Sequence, residues 1–320
     1  LTGRRFHQWI HMSNFLPVFI CKGRNRCSMK GKNCVVTGGN SGIGFETARA
    51  LAKEGANVLI LSRNREKAEA AVKSIRALSP GSQIDYVLAD LSSQMSIREA
   101  SENILGDFKS IDILVNNAGA WFSKLDLTAD GVERQFAVNH LAYFLLTKEL
   151  MKALETSADA RIVCVGSDSH FHGKIHFDDV SLRNNYHGLR AYAQSKLANV
   201  MFVYELDRRL KERGIGHIDV NCVQPGRVNT DIGLKHTISF HSLAWRIRRI
   251  GGLTPAQGAA TSIYLATQEQ VNGLSGKYWD KCKPKPSSPA SYVQEDAARL
   301  WEISESLCGV GDYFEGLTSV

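Results

Sequence analysis

Tyr192 and Lys196 are the residues whose types and spacing point most directly to chemistry. They are four positions apart in a helix-like stretch, so their side chains share one helix face. An ammonium beside a phenol favours the phenolate and lowers its pKa, which would let Tyr192 exchange a proton near neutral pH. The chain has nine tyrosines, so one Tyr-x-x-x-Lys match arises easily by chance and needs support from other segments.

Two more polar residues are candidates for the same site. Ser167 ends an apolar run, and a hydroxyl there can hydrogen-bond a substrate carbonyl and stabilise the developing oxyanion. Asn139 lies inside a helix-like stretch, where asparagine is mildly unfavourable and therefore suggests a site. The alternatives are a serine that caps a turn and a buried asparagine satisfied by its neighbours.

A glycine-rich loop, Thr-Gly-Gly-Asn-Ser-Gly-Ile-Gly at 37–44, follows a strand-like run and opens a helix-like one. Its glycines let the backbone approach a pyrophosphate, and the helix N-terminus supplies N–H groups and a positive dipole end. A plain turn is the alternative, but the strand–loop–helix context favours a dinucleotide site. The predicted phosphate-binding residues are Gly38, Asn40, Ser41, Gly42, Ile43 and Gly44.

The end of the second strand-like run indicates which dinucleotide binds. A site for NAD has an acid about 20 residues after the loop, where it accepts from the ribose 2′-hydroxyl. Ser62 and then Arg63 occupy that place in this chain. A guanidinium binds a 2′-phosphate in bidentate fashion and stacks on adenine, so the predicted cofactor is NADP(H). A surface arginine after a strand is the alternative.

Two later strand ends complete the predicted cofactor site. Asp90 can accept from an adenine amino group, although an Asp after a strand is also a common turn former. The small residues of Asn-Asn-Ala-Gly at 116–119 let a cofactor lie close to the backbone, with a tight turn as the alternative. The predicted contacts are Asp90, Leu91, Asn117, Ala118 and Gly119.

All these residues fall within a repeating alternation of elements. Short apolar runs lie at 34–37, 58–62, 85–89, 111–116, 161–167, 217–223 and 277–279. Helix-like stretches lie at 44–53, 65–78, 96–105, 131–155, 190–212 and 255–267. Continuous apolar runs between helices indicate a parallel sheet covered on both faces. The predicted fold is one doubly wound, Rossmann-like α/β sheet, which binds ligands beyond the carboxyl ends of its strands.

The chain divides into three predicted parts. Residues 1–31 lack clean periodicity and form an N-terminal arm, 32–307 form the α/β domain, and 308–320 form a C-terminal tail. The segment 231–254 interrupts the alternation and mixes apolar residues with arginines. We interpret it as a lid over the substrate, with a surface helix and a membrane-touching helix as alternatives.

Composition excludes several classes of protein. The net charge is +7, but the basic residues are spread and show no zinc-finger spacing, so no nucleic-acid partner is expected. The cysteines are seven and include no Cys-x-x-Cys pair, which predicts free thiols in a reducing, intracellular compartment. His170 and His172 complete no known metal spacing, so no metal is predicted. No apolar run reaches the roughly 18 residues of a membrane span.

In chain order these segments resemble the short-chain dehydrogenase/reductase superfamily from residue 32 to residue 307. The family's motifs match the glycine loop, the Asn-Asn-Ala-Gly segment, and Tyr192 with Lys196. The resemblance implies that Asn139 and Ser167 complete the catalytic set. It also implies cofactor contacts after the sixth strand, at Pro225, Gly226, Val228 and Thr230.

The segments 138–141, 195–199 and 300–305 resemble the retinol dehydrogenase-like and WW domain-containing oxidoreductase branch. This resemblance implies NADP(H) and a lipophilic retinoid, steroid or aldehyde substrate. It is compatible with a monomer or a homodimer, in the cytoplasm or peripheral on a membrane. Gly166 and Gln224 depart from the family, which usually has serine and histidine at these places.

The combined prediction is an NADP(H)-dependent oxidoreductase that moves a hydride between nicotinamide and a carbonyl or alcohol carbon. Tyr192 exchanges the proton, and Lys196 holds the nicotinamide ribose and lowers the pKa of Tyr192, so both residues are also predicted cofactor contacts. Ser167 holds the substrate oxygen, and Asn139 supports a proton relay through water. An NADPH-binding regulatory or scaffolding protein is the alternative, although a pure sensor needs none of these four residues. RNA binding is a weaker third reading, which salt-sensitive binding would support.

Overall fold

The computed structural model describes residues 26–228 and 252–317. Within them, eight strands form one sheet in the order β3-β2-β1-β4-β5-β6-β7-β8. The strands are β1 (Asn33–Thr37), β2 (Asn57–Ser62), β3 (Gln83–Leu88), β4 (Ile113–Asn116), β5 (Ala160–Val165), β6 (Ile218–Gln224), β7 (Lys277–Asp280) and β8 (Lys283–Pro284). The first seven are parallel, and β8 pairs antiparallel with β7. The predicted doubly wound sheet is confirmed, with β8 as an unpredicted addition.

Helices connect these strands. They are α1 (Gly42–Lys53), α2 (Arg65–Leu78), α3 (Gln94–Asp107), α4 (Arg134–Phe136), α5 (Ala142–Glu155), α6 (Gly188–Glu212), α7 (Pro255–Thr267) and α8 (Gln294–Cys308). The predicted helix over 131–155 is interrupted, because a π-helical turn, Ala137–Leu141, separates α4 from α5. Apolar periodicity does not reveal such a turn. Helix α8 was not among the predicted stretches.

Two hydrophobic clusters cover the two faces of the sheet. Val35 belongs to one, whereas its neighbours Cys34 and Val36 belong to the other. This alternation is the two-residue period of a strand whose faces are both buried. Helices α1, α2 and α7 contribute to the second cluster, and α3, α5, α6 and α8 to the first. Because apolar side chains cover both faces of the sheet, the polar side chains of a site are expected at the strand ends.

The strand order reverses between β1 and β4, which are neighbours although two strands separate them in the chain. In open α/β sheets such a reversal opens a crevice beyond the carboxyl ends of the two strands. The glycine-rich loop follows β1, and the Asn-Asn-Ala-Gly segment follows β4. The topology thus brings the two predicted cofactor segments to one place.

Part of the predicted N-terminal arm contacts the domain. The backbone N–H of Cys27 donates to the Thr267 carbonyl oxygen at 2.8 Å, and Arg26 forms a bridge with Gln268. The segment predicted to be a lid lies outside the described residues, apart from 252–254. The division into arm, domain and tail stays a prediction.

The cysteines differ from the expectation at one position. Free thiols are present at Cys27, Cys34, Cys164, Cys222 and Cys308. Cys282 is disulfide-bonded, so the expectation of a chain without disulfides is wrong there. An odd number of cysteines does not exclude a single bridge. Over 26–228 and 252–317 there is neither a helix able to cross a membrane nor a group of three metal-ligating side chains.

An aromatic cluster holds α8 against the sheet-covering helices. The Trp301 side chain is 2% exposed. Its ring lies 5.0 Å from that of Phe144 and 4.5 Å from that of Tyr313, between ring centroids. The guanidinium carbon of Arg209 on α6 lies 4.6 Å from the Trp301 ring centroid. Helix α8 is therefore part of the core.

Trp301→Ala is expected to lower the free energy of unfolding by about 3–5 kcal/mol, because it removes a buried indole and leaves a cavity. Urea denaturation followed by circular dichroism measures this loss. Glu302→Ala, at the exposed neighbouring position, is the matched control and should leave stability unchanged. A loss below about 1 kcal/mol for Trp301→Ala would contradict a core role for α8.

Candidate active site

The glycine loop has a backbone that only glycine adopts easily. Gly38 and Gly42 have φ angles of 66° and 57°, in the left-handed region. A Cβ on Gly44 would lie 2.4 Å from the Gly38 carbonyl oxygen, so a side chain there would block the turn. Gly39 is equally constrained, since its Cβ would lie 2.5 Å from Cγ2 of Ile60. Sequence reasoning did not single out Gly39, because its requirement comes from packing against β2.

The N-terminus of α1 is free to receive an anion. Its N-cap residue, Ser41, makes no side-chain capping bond, and the first turn holds no acidic residue. By contrast, Asn64 caps α2 and Ser93 caps α3, each through its side-chain oxygen. The unused N–H groups of α1 and its positive dipole end fit a cofactor phosphate beside the glycine loop.

Hydrogen bonds tie the end of β1 to the segment after β4. The Thr37 hydroxyl oxygen accepts from the backbone N–H groups of Asn117 at 2.8 Å and Ala118 at 2.9 Å. The Asn117 amide donates to the Thr37 carbonyl oxygen at 2.8 Å. The Tyr143 hydroxyl donates to the Ala118 carbonyl oxygen at 2.8 Å. Thr37 and Tyr143 are positioning residues that sequence reasoning missed, since their partners lie far along the chain.

The adenosine end of the predicted site contains one unpaired cation. Arg63 is exposed and has no ion pair or hydrogen bond with another residue in 26–228 or 252–317. The hydroxyl of Ser62 instead bonds the backbone of Asn64. Asp90 accepts from the N–H and the hydroxyl of Ser92 at 2.9 and 2.8 Å, which is the turn-forming alternative. Arg63 is thus the group available to a phosphate.

Three predicted catalytic residues meet where β5 ends against α6. Tyr192 lies near enough to Ser167 for the serine hydroxyl to lower the pKa of the phenol. The Lys196 ammonium donates to the Val165 carbonyl oxygen at 2.9 Å and is 2% exposed. It lies 5.8 Å from the ring centroid of Tyr192 and 5.8 Å from that of Tyr143. The arrangement places a phenol, a hydroxyl and an ammonium within one small volume.

The charge state of this group differs from expectation. Burial raises the pKa of Tyr192, and the nearby Ser167 hydroxyl partly lowers it again. Lys196 was expected to be the lowering group, but its ammonium is bound to Val165 and lies over the ring rather than at the hydroxyl. Burial also lowers the pKa of Lys196 itself, to about 8.

Three hydrogen bonds hold the Asn139 side chain beside the site. Its Oδ1 accepts from the Ala120 N–H at 2.7 Å, and its Nδ2 donates to the Ala120 carbonyl oxygen and to the Ser195 hydroxyl, both at 3.0 Å. Ser195 in turn donates to the Tyr192 carbonyl oxygen at 2.8 Å. Both N–H groups of Nδ2 are therefore used, whereas Oδ1 keeps one lone pair that a water can still reach. The role of Asn139 in a relay stays a prediction.

The two departures from the family pattern have local causes. A Cβ on Gly166 would lie 2.7 Å from the Cys222 sulfur, so the neighbouring strand requires glycine there. Gln224 donates to an Asp168 carboxylate oxygen at 2.6 Å and accepts from the Gly226 N–H at 2.8 Å. It thus links the turn after Ser167 to the turn after β6.

The segment after β6 is partly described. Gly226 follows Pro225 and has a φ of 82°, which makes this turn specific for glycine. Val228 forms a bridge with Leu253. Thr230 lies outside the described residues. The bond between Gln224 and Asp168 brings the start of this turn next to the turn after Ser167, whereas Val228 packs beside Gly258 of α7.

The family is shown by sequence. The sequence model of the short chain dehydrogenase family matches residues 32–237. Human retinol dehydrogenase 12 is 41% identical over 287 residues, covering 90% of this chain and 89% of the relative. Human retinol dehydrogenase 13 is 39% identical over 293 residues, covering 89% and 87%. The chain belongs to the short-chain dehydrogenase family, in its retinol dehydrogenase-like branch, and is an oxidoreductase that uses a nicotinamide cofactor.

Solved structures agree with the fold. An uncharacterised protein from Mycobacterium paratuberculosis superposes with a TM-score of 0.72 at 31% identity, covering 89% of this chain and 96% of its own. A short chain dehydrogenase from Shigella flexneri, crystallised with NADP, superposes with a TM-score of 0.63 at 22% identity, covering 80% and 99%. The second likeness concerns the fold alone.

Lys196→Met is expected to stabilise the fold at neutral pH. Burial lowers the pKa of Lys196 from 10.5 to about 8, so between these values the unfolded chain binds more protons and stability rises with pH. At pH 7 the full penalty for burying the ammonium is present, and the shift corresponds to about 3 kcal/mol. Urea denaturation at pH 7 should therefore show a gain of up to that size.

At pH 9.5 the advantage of Lys196→Met should shrink, because folded Lys196 is then mostly neutral. Lys73→Met, at an exposed position on α2, is the control and should match the parent at both pH values. If Lys196→Met were less stable than the parent by the same amount at pH 7 and at pH 9.5, the charged Lys196 ammonium would not lower the stability of the parent through its burial.

Proposed function

We propose that this chain is an NADP(H)-dependent reductase and dehydrogenase of lipophilic carbonyl and alcohol substrates. The observation that carries the proposal is the buried Lys196 ammonium, which lies 5.8 Å from the Tyr192 ring centroid and bonds Val165, two residues before Ser167. The uncapped N-terminus of α1 and the glycine loop support a phosphate-bearing cofactor beside this group. A regulatory protein that only binds NADPH would need none of the three side chains.

The nicotinamide, when bound, supplies or accepts the hydride. Tyr192 donates its phenolic proton to the substrate oxygen in reduction and takes it back in oxidation. The Ser167 hydroxyl, which now donates to the Ser169 hydroxyl at 3.2 Å, turns to the substrate oxygen and stabilises its negative charge. The Lys196 ammonium has two donors beyond its bond to Val165 and would use them to hold the nicotinamide ribose beside Tyr192.

Arg63 is the residue proposed to select NADP(H) over NAD(H). It is exposed beyond the end of β2 and is not engaged by any acid in the described residues. An acid at this place would instead accept from a ribose 2′-hydroxyl and exclude a phosphate.

A lipophilic substrate is supported by the apolar side chains close to the catalytic group. Phe171, Leu189 and Leu253 are exposed, although each is large and apolar. Phe171 follows Ser167 by four positions, and Leu189 precedes Tyr192 by three. Leu253 lies within 2.6 Å of the Cβ position of Gly226. The names of the relatives make retinaldehyde the first substrate to test.

Tyr192→Phe is expected to reduce turnover by at least about 100-fold while leaving NADPH binding intact, because only the transferable proton is lost. The assay is NADPH consumption with retinaldehyde, steroid ketones, medium-chain aldehydes and quinones. Tyr264→Phe, on α7, is the matched control. NADPH binding without turnover on any of these substrates would favour the regulatory alternative, and near-native turnover of Tyr192→Phe would exclude the assigned proton donor.

Arg63→Gln is expected to raise the KM for NADPH by about 10- to 100-fold, the value of a charge-assisted bidentate contact, with little change for NADH. Steady-state kinetics with the two cofactors measure the ratio. Arg65→Gln is the control, since Arg65 is also exposed but donates to the Tyr86 hydroxyl. An equal effect on both cofactors, or an equal effect of Arg65→Gln, would contradict recognition of a 2′-phosphate by Arg63.

A further inference from the structure

The backbone at Ser167 is held by a histidine that the mechanism above does not use. The Ser167 carbonyl oxygen accepts from the His170 ring nitrogen Nδ1 at 2.7 Å and from the His170 backbone N–H at 3.1 Å. Ser167 is the N-cap of the 3-10 turn Asp168–His172, and its Oγ accepts from the Ser169 N–H at 3.1 Å. The carbonyl oxygen and the hydroxyl of Ser167 are therefore both oriented by this turn.

The tautomer of His170 follows from its second partner. The Ser288 backbone N–H donates to His170 Nε2 at 3.0 Å. A backbone N–H only donates, so Nε2 carries no proton and Nδ1 must carry one if the ring is neutral. The His170 side chain is fully buried, and burial lowers its pKa, which keeps the ring neutral. The ring lies between those of Tyr278 and Phe171, with centroids 4.7 and 4.2 Å away.

The Ser288 anchor is itself fixed to the helix that carries the catalytic residues. The Ser288 carbonyl oxygen accepts from the Ser291 hydroxyl at 2.6 Å and from its N–H at 3.0 Å. The hydroxyl of the neighbouring Ser287 lies 2.7 Å from that of Tyr204, a residue of α6. A continuous path of hydrogen bonds and covalent bonds thus runs from Ser167 through His170 and this serine segment to α6.

We propose that His170 is a positioning residue for the reaction, which bridges Ser167 to the segment 287–291 and so sets the distance between the Ser167 hydroxyl and Tyr192. The proposal rests on the proposed function. The hydrogen bond between His170 and Ser288 joins residues that are 118 positions apart in the chain. It thereby connects the turn that carries Ser167 to the helix that carries Tyr192. The nearby charged groups, Asp168 and Lys285, act on the His170 ring in opposite senses and leave its neutral form in place.

His170→Phe keeps an aromatic ring between Tyr278 and Phe171 but removes both hydrogen bonds. We expect kcat to fall by about 10- to 100-fold, the cost of a misplaced catalytic group, with the KM for NADPH within about twofold of the parent. His170→Asn restores an N–H donor near the position of Nδ1 and should recover most of the loss. His172→Phe, at an exposed position of the same turn, is the control and should behave as the parent.

A double-mutant cycle separates positioning from a general structural effect. In the Ser167→Ala background His170→Phe should cost almost nothing more in kcat, since the hydroxyl that it positions is gone. An undiminished cost in that background, or a kcat equal to the parent's for His170→Phe alone, would overturn the proposal. If His170→Phe does not fold, His170→Gln serves in both backgrounds, with loss of kcat and rescue by His170→Asn still required.

The parent protein tests the proposed function separately. Absence of turnover in the parent and in Ser167→Ala alike would refute the proposed function itself. Turnover that depends on Ser167 and Tyr192 but not on His170 would refute only the bridge. The same NADPH-consumption assay with the best substrate of the panel distinguishes these results.

Discussion

A buried ammonium bonded to the end of a strand is the interaction on which the site depends. Lys196 donates to the Val165 carbonyl oxygen at 2.9 Å and thereby holds α6 against β5. Burial makes this contact costly, as the lowered pKa of the lysine shows. The apolar packing of α6 in the core offsets that cost, because its residues Leu197, Val200 and Phe202 are almost fully buried. Tyr192, one turn before Lys196, reaches Ser167 as a result.

Around this contact, the catalytic side chains are oriented by bonds to backbone atoms. The Asn139 side chain hydrogen-bonds both the N–H and the carbonyl oxygen of Ala120. It also bonds Ser195, whose hydroxyl donates to the Tyr192 carbonyl oxygen. The Thr37 hydroxyl oxygen accepts from two backbone N–H groups in the turn after β4 and so fixes that turn. Such bonds reduce the reorganisation needed when charge develops in a reaction.

The two departures from the family pattern, Gly166 and Gln224, are explained by the residues around them. Gly166 has no room for a side chain because Cys222, its neighbour on β6, points its sulfur at that position. Gln224 keeps both of its polar groups satisfied by bonding Asp168 and the Gly226 backbone. Asp168 also accepts from the Tyr278 hydroxyl at 2.9 Å. The turn after Ser167 is thus joined to β6 and β7 by polar contacts.

The sequence by itself determined the class of fold and the place of the site. Apolar runs and glycine spacing are local signals, and they sufficed to predict seven parallel strands and the loop after β1. The residue types at strand ends and on one helix face made Tyr192, Lys196, Ser167 and Asn139 candidates, and the family resemblance joined them into one catalytic set.

Only the tertiary structure decided which residues support these groups. Several features depend on partners distant in the chain: the three hydrogen bonds of Asn139, the requirement for glycine at Gly39 and Gly166, the docking of α8 and the tautomer of His170. A contact such as that between His170 and Ser288 leaves no periodic pattern around either residue. Its energy comes from the folded geometry, so local spacing and composition contain no sign of it.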